Sequence, residues 1–289
     1  MAFDPFLYLA FAGGFLVGRL VKFHPPWVAR ATLGTVVVLV GLLGASLASE
    51  PWTPLVATIP LAIGFAVLVL ALTAAVYLAL SRVRPAPPAA PEPAPARERI
   101  PLSVVLLATL VVGFLLGRAV PVPSSAAIPW VLCLLLALVG FEIPLHFGGL
   151  PEVWKPLLAA SVGAVGAAAV FIVLLGVPTG VAFATAFAFG FYSLAGPLVV
   201  ARAGALFGLL AFLTNFLRED FTMVASPYVG RALGGAGLAA MGGATSMDTT
   251  LYFVTRYGDR GAGSLALANG LALTIAATLL LPVLLTLPV

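Results

Sequence analysis

The sequence predicts an all-α polytopic membrane protein with about eight transmembrane helices, two re-entrant or broken helices, and inverted repeats. Three observations support this fold class. First, 62% of the 289 residues are hydrophobic and only 8% are charged, whereas a soluble domain carries about 25% charged residues. Second, long stretches of the chain contain no charge. Third, separate segments of the chain resemble each other. Lipid is therefore the expected solvent for much of the surface.

Stretches without charged residues mark the candidate spans. Since a spanning helix needs about 20 mostly apolar residues, the segment 156–201 is long enough for two elements. An additional apolar run, from Phe6 to Val17, is followed by cations instead of being preceded by them, which predicts a first membrane helix and not a cleaved signal peptide. The charge-free stretches are 31–49, 51–81, 100–117, 119–141, 156–201 and 261–289.

Loop charges predict the topology, because Lys and Arg collect in cytoplasmic loops. The cation-free segment around Glu50 is then outside, as is the N-terminus. Arg202 also falls outside and is the one dissenting charge. Eight spans agree best with the loops, while ten crossings are the competing interpretation. The cations placed in the cytoplasm are Arg19, Lys22, Arg30, Arg82, Arg84, Arg97, Arg99, Arg231, Arg256 and Arg260.

A first repeat relates two three-helix segments. Phe15–Arg19 resembles Phe114–Arg118, and Leu39-Val-Gly41 matches Leu138-Val-Gly140 at the same offset of 99. Glu50-Pro-Trp-Thr-Pro-Leu55 matches Glu152-Val-Trp-Lys-Pro-Leu157. Three crossings are an odd number, so the second unit would be inverted, as in many secondary transporters. The predicted parts are repeat 1 at 1–81, a proline-rich cytoplasmic linker at 82–100, inverted repeat 2 at 101–178, and a core at 179–289.

A second, weaker repeat lies inside that core. Gly190 aligns with Gly243 at an offset of 53, and Asn215 aligns with Asn269 at an offset of 54. If these units are also inverted, 180–200 and 234–255 are re-entrant hairpins or broken helices, and 204–230 and 261–287 are full spans. Gly196 and Pro197 are expected to break the first of them.

The cysteine, the histidines and the net charge give no sign of a disulfide, a metal site or a nucleic-acid partner. A single cysteine, Cys133, excludes an internal disulfide and a cysteine metal cluster. His24 and His146 are interpreted as loop residues, and no metal site or cofactor is expected. The net charge of +4 is explained by the loops and needs no nucleic acid. The glycines of Gly13-Gly14-x3-Gly18 are interpreted as helix-packing positions.

Charged residues at membrane depth are the main functional signal. Arg218, Glu219 and Asp220 lie near the middle of the helix predicted at 204–230. Asn215, Glu219 and Thr222 share one helix face, and a carboxylate with an amide and a hydroxyl suits a primary ammonium group. Arg218 is expected to pair with another element, with Asp248 as a candidate. A structural salt bridge is the alternative interpretation.

The two predicted breaks supply further candidates. Their hydroxyl groups would bind a substrate carboxylate or cap the broken helices, while Asn269 would match Asn215 in the second repeat. Helix-to-helix hydrogen bonding in lipid explains any single hydroxyl equally well. These candidates are Tyr192, Ser193, Thr245, Ser246, Thr249 and Thr250.

The motifs Phe189-Gly-Phe-Tyr-Ser-Leu-Ala-Gly196, Asn215-x2-Arg218-Glu219 and Gly242-Gly-Ala-Thr-Ser-Met-Asp-Thr-Thr-Leu251 resemble signature segments of the LysO-type lysine exporter family. The resemblance implies export of L-lysine, or a similar cationic amino acid, across the cytoplasmic membrane of a prokaryote. It also implies eight spans, an outside N-terminus, and two intramembrane acidic residues. Glu219 matches one of them, whereas Glu50 is near the other without aligning cleanly. The family is distantly similar to antiporter folds with crossed broken helices.

The leading hypothesis is therefore a lysine exporter coupled to a proton or another cation such as sodium. A sodium or proton antiporter without an organic substrate is the alternative. An intramembrane hydrolase would need a catalytic pair such as Ser with Lys, which is not evident, so no enzyme is expected. The lipid bilayer is the expected surrounding, and the oligomeric state is left open, with a homodimer as one candidate.

Overall fold

The computed structural model describes residues 4–21, 27–81, 102–142, 152–259 and 261–288. These ranges form α-helices and two short 3-10 helices, Leu47–Ser49 and Gly243–Met247, without a β-strand, which confirms the all-α class. The α-helices are α1 (Asp4–Leu20), α2 (Trp27–Ser46), α3 (Trp52–Ser81), α4 (Leu102–Ala119), α5 (Ser124–Glu142), α6 (Trp154–Leu175), α7 (Thr179–Ala186), α8 (Tyr192–Ala203), α9 (Ala205–Gly242), α10 (Leu251–Tyr257) and α11 (Ala262–Leu284).

The apolar helices are those of a multi-pass membrane protein. By length and composition, α3, α5, α6, α11 and the segment Trp27–Ser49 can each cross a bilayer, and α1 and α4 contain shorter apolar helices. Eight spans and an outside N-terminus stay predictions. Several predicted loop features lie outside the described residues, namely the proline-rich linker, Lys22, His24, Arg82, Arg84, Arg97, Arg99, His146 and Arg260.

The chain forms two compact units that do not follow chain order. Unit 1 comprises Met1–Thr58, Ile100–His146 and Ser193–Phe212, and unit 2 comprises Ile59–Arg99, Phe147–Tyr192 and Leu213–Val289. Most of α3 and all of α6, the third helices of the two predicted repeats, belong to unit 2. The predicted division at residues 81, 100 and 178 stays a prediction.

Glycines bring the helices of unit 1 into backbone contact. In α1, a Cβ atom at Gly14 or Gly18 would overlap the backbone of Ala137 or Phe141 in α5. Both glycines are thus packing positions, as predicted, whereas Gly13 has no atom within 4 Å of the place where a Cβ would lie. Small residues permit this close approach, which lets dispersion forces hold helices together in lipid.

The α4–α2 pair repeats the contacts of the α1–α5 pair. Gly140 of α5 meets the backbone of Phe11 in α1, and Gly44 of α2 meets the backbone of Leu110 in α4. Leu110 follows Phe11 by 99 positions, as predicted, but Gly140 follows Gly44 by only 96. The predicted match of Gly41 with Gly140 is therefore shifted by about one helical turn. Leu and Gly recur so often here that sequence similarity does not fix the register.

The long helices α3 and α6 pack together in unit 2. Phe65 of α3 stacks on Phe171 of α6 with ring centroids 3.9 Å apart. Gly163 of α6 lies where a Cβ atom would meet the Thr73 side chain of α3. At the start of α7, the Gly180 amide donates to the Pro288 carbonyl at 2.9 Å. In unit 2, α3 and α6 thus pack closely on each other, and the start of α7 is bonded to the segment that follows α11.

Candidate functional site

Two of the interruptions between the helices of unit 2 lie in the region that contains the predicted site residues. The first interruption is 187–191, between the end of α7 and the start of α8, and the second is 243–250, between α9 and α10. A kink at Gly234 (φ 70°, ψ −175°) divides α9, so its last eight residues form a separate half-helix. The structure therefore contains a break in each segment where broken helices were predicted.

The first break lies earlier than expected. Gly196 and Pro197 were predicted to interrupt the helix, but both lie inside α8. A proline removes the hydrogen bond to the carbonyl four residues before it, which here is Ser193 in the first turn of α8, so little helical bonding is lost. The break instead contains Phe189 and Gly190, with φ angles of 52° and 95°.

The two breaks touch each other through their backbones. The Ala244 amide donates to the Phe189 carbonyl at 2.8 Å. A Cβ atom at Gly243 would overlap that same carbonyl, so the contact requires a glycine. Gly243 also has a positive φ of 67°, a conformation that side chains disfavour. Non-helical backbone at membrane depth is tolerated where protein surrounds it, and here each break helps to satisfy the other.

Two buried asparagines hold the two breaks. Asn215 of α9 is 1% exposed. Its Oδ1 accepts from the Gly190 amide at 2.8 Å, and its Nδ2 donates to the Thr185 carbonyl at 2.9 Å. Asn269 of α11 donates to the Ala239 carbonyl at 2.9 Å. Ala239 follows Thr185 by 54 positions, the same offset that separates the two asparagines. The amides thus act on equivalent backbone positions, although both residues were predicted as substrate or coupling groups.

Arg218 caps the half-helix that precedes the second break. Its Nε donates to the Met241 carbonyl at 3.0 Å and its Nη2 to the Ala240 carbonyl at 3.2 Å. A cation is favourable at the C-terminal end of a helix. The predicted ion pair with Asp248 is not formed within the described part of the chain. The reason is that the carbonyls of the half-helix end already engage the guanidinium group, which also lies 5.9 Å from the Phe189 ring centroid.

Glu219 is a buried carboxyl group that forms no ion pair with a cation in the described part of the chain. It is 2% exposed, and the side chains of Tyr192 and Thr249 lie within hydrogen-bonding reach. Its Oε2 atom has no hydrogen-bond partner among the described residues. Tyr192 is itself buried and packs edge-on against Phe216 at 5.8 Å. The ionised form of such a carboxyl group is costly at membrane depth. The group is therefore expected to bind a proton, which makes it neutral, or to pair with a cation.

Two further carboxyl groups lie near Glu219. Asp248 and Asp220 both lie close enough to interact with it electrostatically. Asp248 is exposed, unlike Glu219. One carboxyl oxygen of Asp248 accepts from the Thr249 amide, at 2.6 Å, and from the Thr249 hydroxyl, at 3.2 Å. Sequence placed these residues in one region, and the structure brings Tyr192, Glu219, Asp248 and Thr249 together.

Other predicted hydroxyl groups are engaged with the backbone of the second break. Thr245 Oγ1 donates to the Gly242 carbonyl at 3.0 Å and lies 3.4 Å from Thr250 Oγ1. Ser246 Oγ lies 2.7 Å from the Gly243 carbonyl and 2.9 Å from the Ala266 carbonyl. Both hydroxyls are thus bonded to backbone carbonyls, and the two predicted roles of these residues stay predictions.

Two predicted site residues belong to unit 1. Ser193 is 6% exposed. Glu50 follows the 3-10 helix Leu47–Ser49, and its backbone carbonyl accepts from Arg118 Nη2 at 3.1 Å. Their roles as ligands stay predictions.

Phe189 is the important residue that sequence reasoning missed. It is buried and has positive φ, its carbonyl bonds the other break, and its ring faces Arg218. A bulky residue with positive φ is a backbone outlier that is typical of functional sites. Its place directly before Gly190 in an apolar run was the available signal, but phenylalanine is common in this chain.

Comparisons with known proteins agree with these motifs. The family model described as "Lysine exporter LysO" matches residues 107–285. The chain is also similar to the lysine exporter LysO of Escherichia coli (strain K12), with 29% identity over 188 residues. That match covers 62% of this chain and 62% of the relative, which is less than two thirds of its length. No solved structure matches the chain.

Proposed function

The chain belongs to the lysine exporter LysO family, and we propose that it exports L-lysine across the cytoplasmic membrane of a prokaryote. The observation that carries the proposal is the Glu219 carboxyl group, buried within unit 2 with its Oε2 atom unpartnered among the described residues. A primary ammonium group has three donors, and a buried carboxylate is a favourable partner for it.

We further propose antiport in which a proton and the substrate alternate at Glu219. Burial favours the neutral carboxyl form, while a nearby cation favours the ionised form. The empty site would therefore hold a proton, and the entering ammonium group would displace it. Since Glu219 would pair with the cationic side chain of the substrate, arginine and ornithine are expected to compete with lysine, whereas leucine, whose side chain is apolar, is not.

Two finer features belong to the same proposal. The N-terminus would be outside, with eight spans, because that topology places most loop cations in the cytoplasm. The three-helix repeats and the C-terminal core would act as the predicted domains, a division that the shared contacts of α1–α5 and α4–α2 support for the repeats.

Labelled-lysine counterflow in proteoliposomes tests the proposal. It needs no driving ion, so it reports binding and alternating access alone. Removing one partner of a buried charge pair costs about 2–5 kcal/mol, so Glu219→Gln should lower exchange about 30-fold or more. Glu152→Gln is the matched control, since that carboxyl group is 70% exposed and pairs with Lys155. Exchange should persist with excess leucine and fall with excess arginine.

A sodium or proton antiporter without an organic substrate is the second candidate. The two contacting breaks and the buried carboxyl group favour it, because broken helices coordinate coupling ions in transporters. Wild-type protein that is folded in the liposomes yet exchanges no lysine would reject lysine export. Sodium-dependent proton movement in the same liposomes would then support the antiporter.

A further inference from the structure

The buried carboxyl group and its exposed neighbour are joined by one hydroxyl. Glu219 is 2% exposed, whereas Asp248 is exposed. Thr249 Oγ1 donates to Asp248 Oδ1 at 3.2 Å, and the Thr249 side chain also lies within hydrogen-bonding reach of Glu219. A hydroxyl has one proton to donate and two acceptor lone pairs. It can therefore accept from one carboxyl group while it donates to the other.

We propose that Thr249 relays a proton between the exposed carboxyl group of Asp248 and the buried carboxyl group of Glu219. The relay rests on the proposed function, because it serves proton antiport at Glu219. A proton on Asp248 passes to Thr249 Oγ1, and the original hydroxyl proton of Thr249 passes to the Glu219 carboxylate. Thr249 ends neutral, Glu219 ends protonated, and the negative charge has moved to Asp248.

The surroundings of Glu219 favour this route over others. Tyr192 also lies within hydrogen-bonding reach of Glu219, but it is 6% exposed and provides no accessible end. Asp220 interacts with Glu219 through charge, without a hydrogen bond. The Oε2 atom of Glu219 has no hydrogen-bond partner among the described residues, so it is available to receive the proton. Among the described residues, the titratable groups that interact with Glu219 are Asp248, Asp220 and Tyr192.

Thr249→Val tests the relay, because it keeps the shape of the side chain and removes the hydroxyl. Lysine counterflow and lysine uptake driven by a pH gradient are measured in the same proteoliposomes. Counterflow exchanges the loaded protein, so it measures any loss of substrate contact at Thr249, and the relay predicts a loss of driven uptake beyond that loss. Driven uptake requires a proton at Glu219 and should fall at least about tenfold, since a positioned proton-transfer group contributes about 10²–10⁴-fold. Thr249→Ser restores the hydroxyl and should restore driven uptake.

A matched control is Thr255→Val, whose hydroxyl bonds the Tyr252 carbonyl of its own helix. Asp248→Asn removes the carboxyl group from which the proton would enter the relay. It should lower driven uptake as much as Thr249→Val does. Driven uptake by Thr249→Val at the wild-type rate overturns the relay. Equal loss of counterflow and driven uptake also overturns it, because the hydroxyl then serves the substrate.

Measurements on the wild-type protein distinguish failure of the relay from failure of the proposed lysine export. Absence of lysine counterflow rejects lysine export, and the Val and Ser variants are then compared by sodium-driven proton flux. A selective loss in Thr249→Val still supports the relay in that case. Folded wild-type protein that moves no protons with either lysine or sodium overturns it.

Discussion

Asn215→Leu should loosen the first break and thereby disturb the site. The substitution keeps the approximate size of the side chain, but it removes the acceptor for the Gly190 amide and the donor to the Thr185 carbonyl. Side-chain hydrogen bonds in membrane proteins average about 0.6 kcal/mol and reach about 1.7 kcal/mol. Two such bonds predict a loss of about 1–3 kcal/mol in the free energy of unfolding.

The functional effect should exceed the loss of stability. Gly190 lies two residues before Tyr192, which is within hydrogen-bonding reach of Glu219. Release of the Gly190 amide therefore allows the tyrosine to move away from the carboxyl group. We expect lysine counterflow to fall at least about tenfold in protein that is still folded, since small displacements in a site have large effects on rate.

Unfolding is measured by SDS titration in mixed micelles with Trp fluorescence, and counterflow is measured on the same preparations. Thr278→Val is the matched control, because Thr278 is 1% exposed and its hydroxyl bonds the Thr274 carbonyl of its own helix. Such back-bonding contributes little to a helix, so the control should change stability by less than about 0.5 kcal/mol. An Asn215→Leu protein as stable and active as this control would refute the reasoning.

Two other predictions use the same assays. Arg218→Lys keeps the charge but cannot make both carbonyl bonds with the geometry of a guanidinium group. It should lose about 1.5–3 kcal/mol, and Arg218→Met should lose more; equal losses would contradict the capping role. Gly14→Ala should destabilise by about 1–3 kcal/mol, because the new Cβ overlaps the Ala137 carbonyl. Gly13→Ala meets no atom within 4 Å and should stabilise by about 0.5–1 kcal/mol, so a Gly14→Ala protein as stable as Gly13→Ala would contradict this packing.

Composition and repeats predicted the fold class and the segments that contain breaks. The offset of 54 between Asn215 and Asn269 was visible in sequence because asparagine is rare in this chain. The same comparison misplaced Gly41 by one turn against Gly140, because leucine and glycine recur throughout. Rare polar residues therefore fixed the register where common apolar ones did not.

The position of the first break was less predictable. Gly196 and Pro197 are strong local signals, but a proline in the second turn of a helix leaves only an early carbonyl unpaired. The actual break at Phe189 is stabilised by the Ala244 amide and by Asn215. Both contacts come from residues more than 20 positions away, so local propensity alone does not show them.

The position of Arg218 explains why Glu219 is available to a cation. Neighbouring residues of a helix point about 100° apart, so Arg218 and Glu219 face different partners. The guanidinium group is held by the carbonyls of Ala240 and Met241, where it also offsets the negative end of the half-helix. An Arg218 paired with Asp248, the candidate partner from the sequence, would have neutralised part of the site from within. With that cation engaged elsewhere, Glu219 and Asp248 are left to be neutralised by an entering proton or ammonium group, as the proposed antiport requires.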